Sequence, residues 1–352
     1  MPSAVRVGII GIVSAYSLHY ADYLQKIPGV EVVGTAHLGR DDRYVRESLS
    51  LPWLTKYPKG IAEYERHFGV PVVESAEELY ERGVDAVAVC TEDCLRTRYA
   101  VEALERGVHA FIPKPFASRL EEVDTLRSAL AKSKATLTPS LPLRYHGLFQ
   151  AAKRALSADG IGDPLTMRGQ ISHLLSSGPW KSDPNQAAGP EFESGFYTID
   201  ALCYLMGDEP TSVYAIAENY FHPGVPTFDN AKVVIQFKGR GMASADFYCG
   251  NHFPFPSQEF EIIGRNGGLR IEKDYSRNEM ILRLFTADGE RSETASGDFG
   301  TAEMANWIDI CRHNRRSEAD ALLDEGVRTL QVLIAFRRSW QTGQIVSLPI
   351  IS

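Results

Sequence analysis

Gly107-Val108-His109-Ala110-Phe111-Ile112-Pro113-Lys114-Pro115-Phe116-Ala117 is the stretch that decides the fold of the first part of this 352-residue chain. Gly107 is a helix-stopping residue. Val108–Ile112 reads as a short apolar strand, and Lys114 follows it, held between two prolines. Proline fixes φ and lacks a backbone donor, so Pro113-Lys114-Pro115 cannot run on into a helix. Working outward, Val5–Ile10, Val30–Thr35 and Asp85–Cys90 read as strands, and Tyr16–Lys26, Ala76–Arg82 and Leu95–Arg106 as helices. Beyond Lys114, Arg119–Lys132 reads as a helix and Ala135–Thr138 as a strand. This alternation predicts a doubly wound, Rossmann-type parallel sheet over residues 1–140, with right-handed crossovers. Ligands of such sheets bind at the carboxyl ends of the strands, so Lys114 is a cation aimed at a ligand crevice.

The texture changes after Pro142. His146–Leu156 reads as a helix, followed by strand patterns at Leu165–Ser172, Ser212–Ala217, Ala231–Phe237, Gly241–Phe247, Glu259–Ile263, Leu269–Glu272 and Met280–Phe285. Turns such as Lys238–Gly241 and Asn266–Gly268 join them as hairpins, which predicts an α+β domain over 141–352 with a large, mostly antiparallel sheet. Helical patterns occupy Phe196–Met206 (stopped by Gly207), Met304–Asn314 and Asp324–Thr342. Gly39–Gly60 interrupts the β/α rhythm and is expected to be a partly ordered surface insertion, with a lid or contact loop as the alternative.

A composition of 44% hydrophobic and 23% charged residues is that of a water-exposed globular chain. The net charge of −8 gives no basis for nucleic-acid or anionic-membrane binding. No apolar run approaches the roughly 18–20 residues that cross a bilayer. Met1–Ala4 leads straight into a strand with no basic leader, so a cytoplasmic location is expected. The scattered cysteines 90, 94, 203, 249 and 311 form no CxxC pair, and no histidine pair has ligand spacing, so neither a disulfide framework nor a metal site is expected.

The first strand-to-helix turn reads Gly8-Ile9-Ile10-Gly11-Ile12-Val13-Ser14-Ala15-Tyr16. A dinucleotide fingerprint asks for glycine at positions 11, 13 and 16, and only Gly11 is present. Val13 stands where a missing side chain lets backbone approach pyrophosphate, and Tyr16 where helix and strand pack closely. The second strand ends at His37, without the acid that holds ribose hydroxyls. Arg40 nearby is placed to meet a 2′-phosphate, which favours NADP over NAD.

These features and several later segments together resemble the Gfo/Idh/MocA oxidoreductase family. Residues 107–117 are similar to its G-x-H-V-x-x-E-K-P-x-A segment, with Pro113 in place of Glu. Leu143-Arg144-Tyr145 resembles the opening of the second domain, Trp180–Pro184 the Trp-containing loop beside the substrate, and the chain from Asp324 to Pro349 the closing helix and its Leu-Pro exit. The resemblance implies hydride transfer between nicotinamide and a hydroxyl-bearing carbon of a sugar, cyclitol or related polyol. Such a reaction needs a cation for developing alkoxide and a base for the hydroxyl proton. Lys114 would be the cation. The family's D-x-x-x-H-x-x-D is Glu193…Tyr197…Asp200 here, so Tyr197 would shuttle the proton and Glu193, on the same helical face if one helix holds both, would orient it. A free tyrosine titrates near about 10, and a neighbouring Lys114 would favour its phenolate. Asp200, Trp180, His173 and Arg144 are the implied substrate contacts. Gly11, Ile12, Val13, Ser14, His37, Arg40, Thr91, Glu92, Lys114 and Pro115 are the cofactor contacts. Two departures stand out: Thr91-Glu92 replaces the usual Thr-Pro, putting a carboxylate near a pyrophosphate site unless it points to solvent, and Arg96 replaces a histidine. The resemblance also implies a dimer or tetramer built through the second-domain sheet. Two other functions share the fold: a regulator that binds a metabolite or nucleotide without turnover, and a lyase or glycoside-cleaving enzyme that recycles a tightly held NAD(P).

Overall fold

A computed structural model describes residues 4–157, 160–172, 178–222, 227–249, 258–274, 279–295 and 298–350. Two compact units emerge, and each is discontinuous in sequence. The first comprises 1–140, 176–188 and 300–326; the second comprises 141–175, 189–299 and 327–352. Residues 178–188 and 300–326 thus pack with the parallel sheet although they follow position 140 in the chain.

The first unit is built on β1 (Val5–Ile10), β2 (Val30–Ala36), β3 (Val72–Val73), β4 (Ala86–Val89), β5 (His109–Ile112) and β6 (Leu137–Pro139). All run parallel, in the order β3-β2-β1-β4-β5-β6. Between them lie α1 (Ala15–Leu24), α2 (Asp42–Leu49), α3 (Ile61–Phe68), α4 (Ala76–Glu81), α5 (Arg96–Glu105) and α6 (Leu120–Lys132). The strand order reverses direction at β1, between β2 and β4, so the switch-point crevice lies above the end of β1. The strands are almost uniformly apolar because helices cover both faces. Their core includes Val7, Ile9, Leu18, Ala88 and Phe111, and takes in Trp180, Met304, Trp307 and Ile308 from later in the chain.

The stretch expected as a partly ordered insertion is instead structured. Asp41 caps α2 by accepting from the Tyr44 N–H at 2.8 Å, and Val45, Leu49, Leu51 and Leu54 are buried. The apolar residues here come too sparsely and too close to prolines to reveal the helix, and burial of one narrow stripe suffices to order it. The short β3 and α3 were likewise not read from the sequence.

The second unit carries a sheet in the order β14-β13-β12-β11-β7-β10-β9-β8-β15. Its strands are β7 (Pro164–Ser172), β8 (Pro210–Glu218), β9 (Asn230–Phe237), β10 (Met242–Tyr248), β11 (Gln258–Gly264), β12 (Gly267–Asp274), β13 (Glu279–Thr286), β14 (Gly289–Ala295) and β15 (Val346–Ser347). Only β7 and β10 pair in parallel; the other neighbours are antiparallel. On β9 the residues alternate strictly between buried and exposed, the pattern of a sheet with one covered face. The unit also contains α7 (Gly147–Ala155), α8 (Pro190–Glu193) and α9 (Gly195–Met206). Gly207 ends α9 in the left-handed region with φ 68°, as its position in the sequence predicts. Two last helices follow, α10 (Phe299–His313) and α11 (Arg316–Thr342). The core of the unit joins Phe228, Phe247, Phe336 and Trp340 in a run of ring contacts.

Gly11 is the tightest point of the parallel sheet. Its φ is 95°, and a Cβ there would lie 2.7 Å from the Cys90 carbonyl oxygen and 2.8 Å from the Thr91 nitrogen. Backbone on that side cannot give way. Gly11→Ala is expected to lower stability by about 2–4 kcal/mol, measured as a reduced denaturant midpoint at unchanged slope.

Candidate active site

Lys114 lies one residue beyond Pro113 at the end of β5 and is 2% exposed. Its Nζ stands 5.8 Å from the centroid of the Tyr16 ring. The Arg96 guanidinium lies 6.0 Å from the same ring, donates from Nη1 to the Pro115 carbonyl at 2.8 Å and pairs with Asp93 at 2.9 Å. Tyr16, which breaks the glycine pattern, therefore supplies a π-face to two buried cations. Arg96, which breaks the histidine pattern, fixes the backbone next to Lys114. Neither role could be read from the sequence, because each depends on residues far apart in the chain meeting at the strand ends.

The turn keeps one feature that a dinucleotide fingerprint asks for: Gly11, which lets the chain pass against the Cys90–Thr91 backbone where a Cβ would clash. The turn opens α1, whose N-terminal dipole favours a phosphate. Its residues are covered by protein: Ile12, Val13 and Ser14 are at most 3% exposed. The cover is the 178–188 segment. Trp180, 1% exposed, donates its indole N–H to the Val13 carbonyl at 3.2 Å. Further along, the Ala188 N–H donates to Asp93 at 2.9 Å, and the Cys94 N–H donates to the Gln186 carbonyl at 3.2 Å.

The remaining cofactor candidates cluster above the same strand ends. At the end of β2, Leu38 and Gly39 both take left-handed dihedrals, with φ 58° and 69°. His37 closes this turn, its Nδ1 lying 3.0 Å from the Arg40 carbonyl; a carbonyl only accepts, so Nδ1 carries the proton. Thr91 is fully buried, and its hydroxyl donates to the Glu92 carbonyl at 2.9 Å. Glu92 neither points to solvent nor stands bare. It is 1% exposed and pairs with Arg40 at 2.7 Å. The Tyr44 hydroxyl joins them, 3.4 Å from Glu92 and 3.2 Å from the Gln186 amide oxygen. Burial, with the adjacent Glu92 carboxylate, pushes the Tyr44 phenol up to about 12, so it is a firm donor at neutral pH. Arg40, expected as a bare partner for a 2′-phosphate, already faces a carboxylate. Tyr44 and Gln186 carried no motif that would have marked them.

In the second unit, Glu193 and Tyr197 do not share one helix. Glu193 ends α8, Tyr197 belongs to α9, and Ser194 links them with αR dihedrals. Both side chains are half-buried. Asp200 is 1% exposed. One of its oxygens accepts from Arg144 Nη2 at 2.7 Å and from the Thr329 hydroxyl at 2.9 Å; the other accepts from Arg144 Nε at 3.0 Å. Burial works against the Arg144 charge, but Asp200 outweighs it and raises the guanidinium above its usual value. Elsewhere in the unit Glu191 is buried against Arg337, and burial raises its carboxyl pKa. This second pair escaped the sequence reading because Glu191 and Arg337 are far apart in the chain. His173 lies outside the described residues. Among the described residues, no group of three or more His, Cys, Asp or Glu side chains could hold a metal ion, and no helix is long and apolar enough to cross a membrane.

Family models match both parts of the chain: the "Oxidoreductase family, NAD-binding Rossmann fold" model over residues 5–140, and the "GFO/IDH/MocA C-terminal domain" model over residues 149–270. The chain belongs to the Gfo/Idh/MocA oxidoreductase family. It is similar to the scyllo-inositol 2-dehydrogenase (NAD(+)) of Bacillus subtilis, at 23% identity over 99% of this chain and 98% of the relative. It is also similar to inositol 2-dehydrogenase 3 of Saccharopolyspora erythraea, at 21% identity over 97% and 95%. Among solved structures, the aldose-aldose oxidoreductase of Caulobacter crescentus superimposes with a TM-score of 0.78 at 18% identity, covering 98% of this chain and all of that one. The Rossmann-type sheet and the large, mostly antiparallel sheet expected from the sequence are both present.

The Arg144–Asp200 pair makes a sharp expectation. Removing one partner of a buried ion pair strands the other charge. Arg144→Met should cost about 3–5 kcal/mol, and combining it with Asp200→Leu should recover a large part of that loss, as read from urea melts of the single and double variants.

Proposed function

We propose that this family member is an NAD(P)-dependent dehydrogenase that oxidises a secondary hydroxyl of a cyclitol, sugar or related polyol, or reduces the corresponding ketone. The observation that carries this reading is the burial of Lys114 at the carboxyl end of β5 in a parallel sheet whose β1 turn retains Gly11. The names of the two inositol dehydrogenases above support the substrate class.

When bound, NAD(P) supplies the hydride acceptor or donor at its nicotinamide ring. Gly11, Ile12, Val13 and Ser14 would hold the pyrophosphate at the start of α1, and His37, Arg40, Thr91, Glu92 and Pro115 would border the rest of the cofactor. Trp180, bonded to the Val13 carbonyl, covers this turn and would border the bound cofactor. Lys114 holds its ammonium toward the substrate oxygen and stabilises negative charge there as the hydroxyl proton leaves. Burial strengthens that effect, because water is excluded from the field of the cation. Tyr197 takes the proton, and Glu193, at the end of α8, orients it. Arg144 and Asp200 satisfy one another, so their work is to support α9 and through it Tyr197, rather than to bind substrate. Assembly into a dimer or tetramer through the second-unit sheet belongs to the same reading. Its support is the set of apolar side chains that sheet leaves exposed, among them Ile216, Val234 and Ile263.

The test is NAD(P)H formation on a panel of cyclitols and sugars, with nucleotide binding measured in parallel. Lys114→Ala should lower kcat roughly 10²–10³-fold, and Tyr197→Phe roughly 10²–10⁴-fold, the latter without loss of nucleotide binding. Full turnover in Tyr197→Phe would remove the tyrosine from proton transfer. Nucleotide binding with no turnover on any polyol would instead fit the regulator.

A further inference from the structure

The Arg40–Glu92 ion pair joins two loops that do not neighbour each other in the sheet. Arg40 follows β2, Glu92 follows β4, and β1 lies between them. The pair therefore spans the switch-point crevice above the Gly11 turn. The sequence lacks an acid at the end of β2, where ribose hydroxyls are normally held. Glu92 brings a carboxylate to that side from the opposite strand, and Arg40 and Tyr44 hold it there.

We propose that Glu92 is the cofactor-specificity residue of this chain: it replaces the missing β2 acid and selects NAD(H) over NADP(H). The inference rests on the dinucleotide-binding role proposed above. A carboxylate that is 1% exposed needs its charge partner. A 2′-phosphate would have to take Arg40 away from Glu92, leaving a buried carboxylate unpaired beside a second anion. Both effects oppose NADP(H). A ribose 2′-hydroxyl imposes neither: it donates a hydrogen bond to the carboxylate while Arg40 stays paired. Arg40 alone favours a 2′-phosphate; with Glu92 at 2.7 Å the balance reverses. Tyr44 reinforces the arrangement, since its hydroxyl donates to Glu92 and its ring lies 5.2 Å from the Arg40 guanidinium. The Gln186 amide oxygen, from the segment covering the turn, lies 3.2 Å from the same hydroxyl and shares its single proton with Glu92.

The experiment is calorimetric titration of the full chain, freed of co-purified nucleotide, with NADH and with NADPH. The natural chain should bind NADH about tenfold more tightly than NADPH. Glu92→Gln keeps the side-chain size and removes the charge, and should close that gap to within about threefold, by tightening NADPH as Arg40 is freed and by weakening NADH as the charged acceptor is lost. A natural chain whose preference for NADH is below about threefold, or which prefers NADPH, overturns the proposal without any variant, which matters if a substitution at this buried position prevents folding. A folded Glu92→Gln chain with an unchanged ratio also overturns it. Binding of neither nucleotide by the natural chain overturns the dinucleotide-binding reading itself and this proposal with it, whereas binding without the predicted preference sinks the specificity role alone.

Discussion

The close approach of β1 to β4 at Gly11 is the constraint on which the first unit depends. The turn runs against the Cys90–Thr91 backbone with no room for a Cβ, and everything above it inherits that geometry. Because β4 exits directly beside the turn, Glu92, Asp93 and Cys94 all lie near the start of α1. Glu92 reaches back to Arg40, Asp93 receives Ala188 and pairs with Arg96, and the Cys94 N–H holds Gln186. One tight backbone contact thus organises both the covering segment and the charged cluster of the crevice.

Charge within that crevice is arranged with little waste. Burying a carboxylate or a guanidinium is costly unless each is paired, and Glu92 pairs with Arg40 while Arg96 pairs with Asp93. In the second unit the same rule holds for Asp200, whose oxygens are taken by Arg144 and Thr329, and for Glu191 beside Arg337. The two acidic residues at family spacing differ in setting: Asp200 is buried against Arg144 and Thr329, while Glu193 is half-buried.

Local periodicity made most of the fold legible. The strands around Lys114 and the glycine stops at 107 and 207 follow from residue patterning that needs no partner to interpret. Helix α2 was not legible, because its ordering comes from Val45 and Leu49 finding a core assembled by distant segments. The site divides in the same way. Lys114 and Gly11 announce themselves through backbone chemistry, proline on one side and positive φ on the other. The meaning of Tyr16, Arg96 and Glu92 lies in whom they meet, and a one-dimensional reading sees only that they depart from a pattern. The placement of Glu193 on α8 and Tyr197 on α9 is a similar case: the helix legible in the sequence begins at Phe196, and between residues 191 and 206 only Gly195 hints at a break.

The discontinuous make-up of the first unit bears on how the chain is born. Phe111 in β5 packs against Trp307, with ring centroids 5.1 Å apart, and Trp307 is completely buried. Trp180 covers the first turn in the same unit. A nascent chain emerging from the ribosome has made the whole parallel sheet by residue 140, yet the aromatic groups that seal it are still to be synthesised. The N-terminal half must wait with apolar surface exposed, a state prone to association. Folding of this unit is completed from the carboxyl-terminal side of the chain, so a truncation that seems to spare the sheet leaves it unsealed.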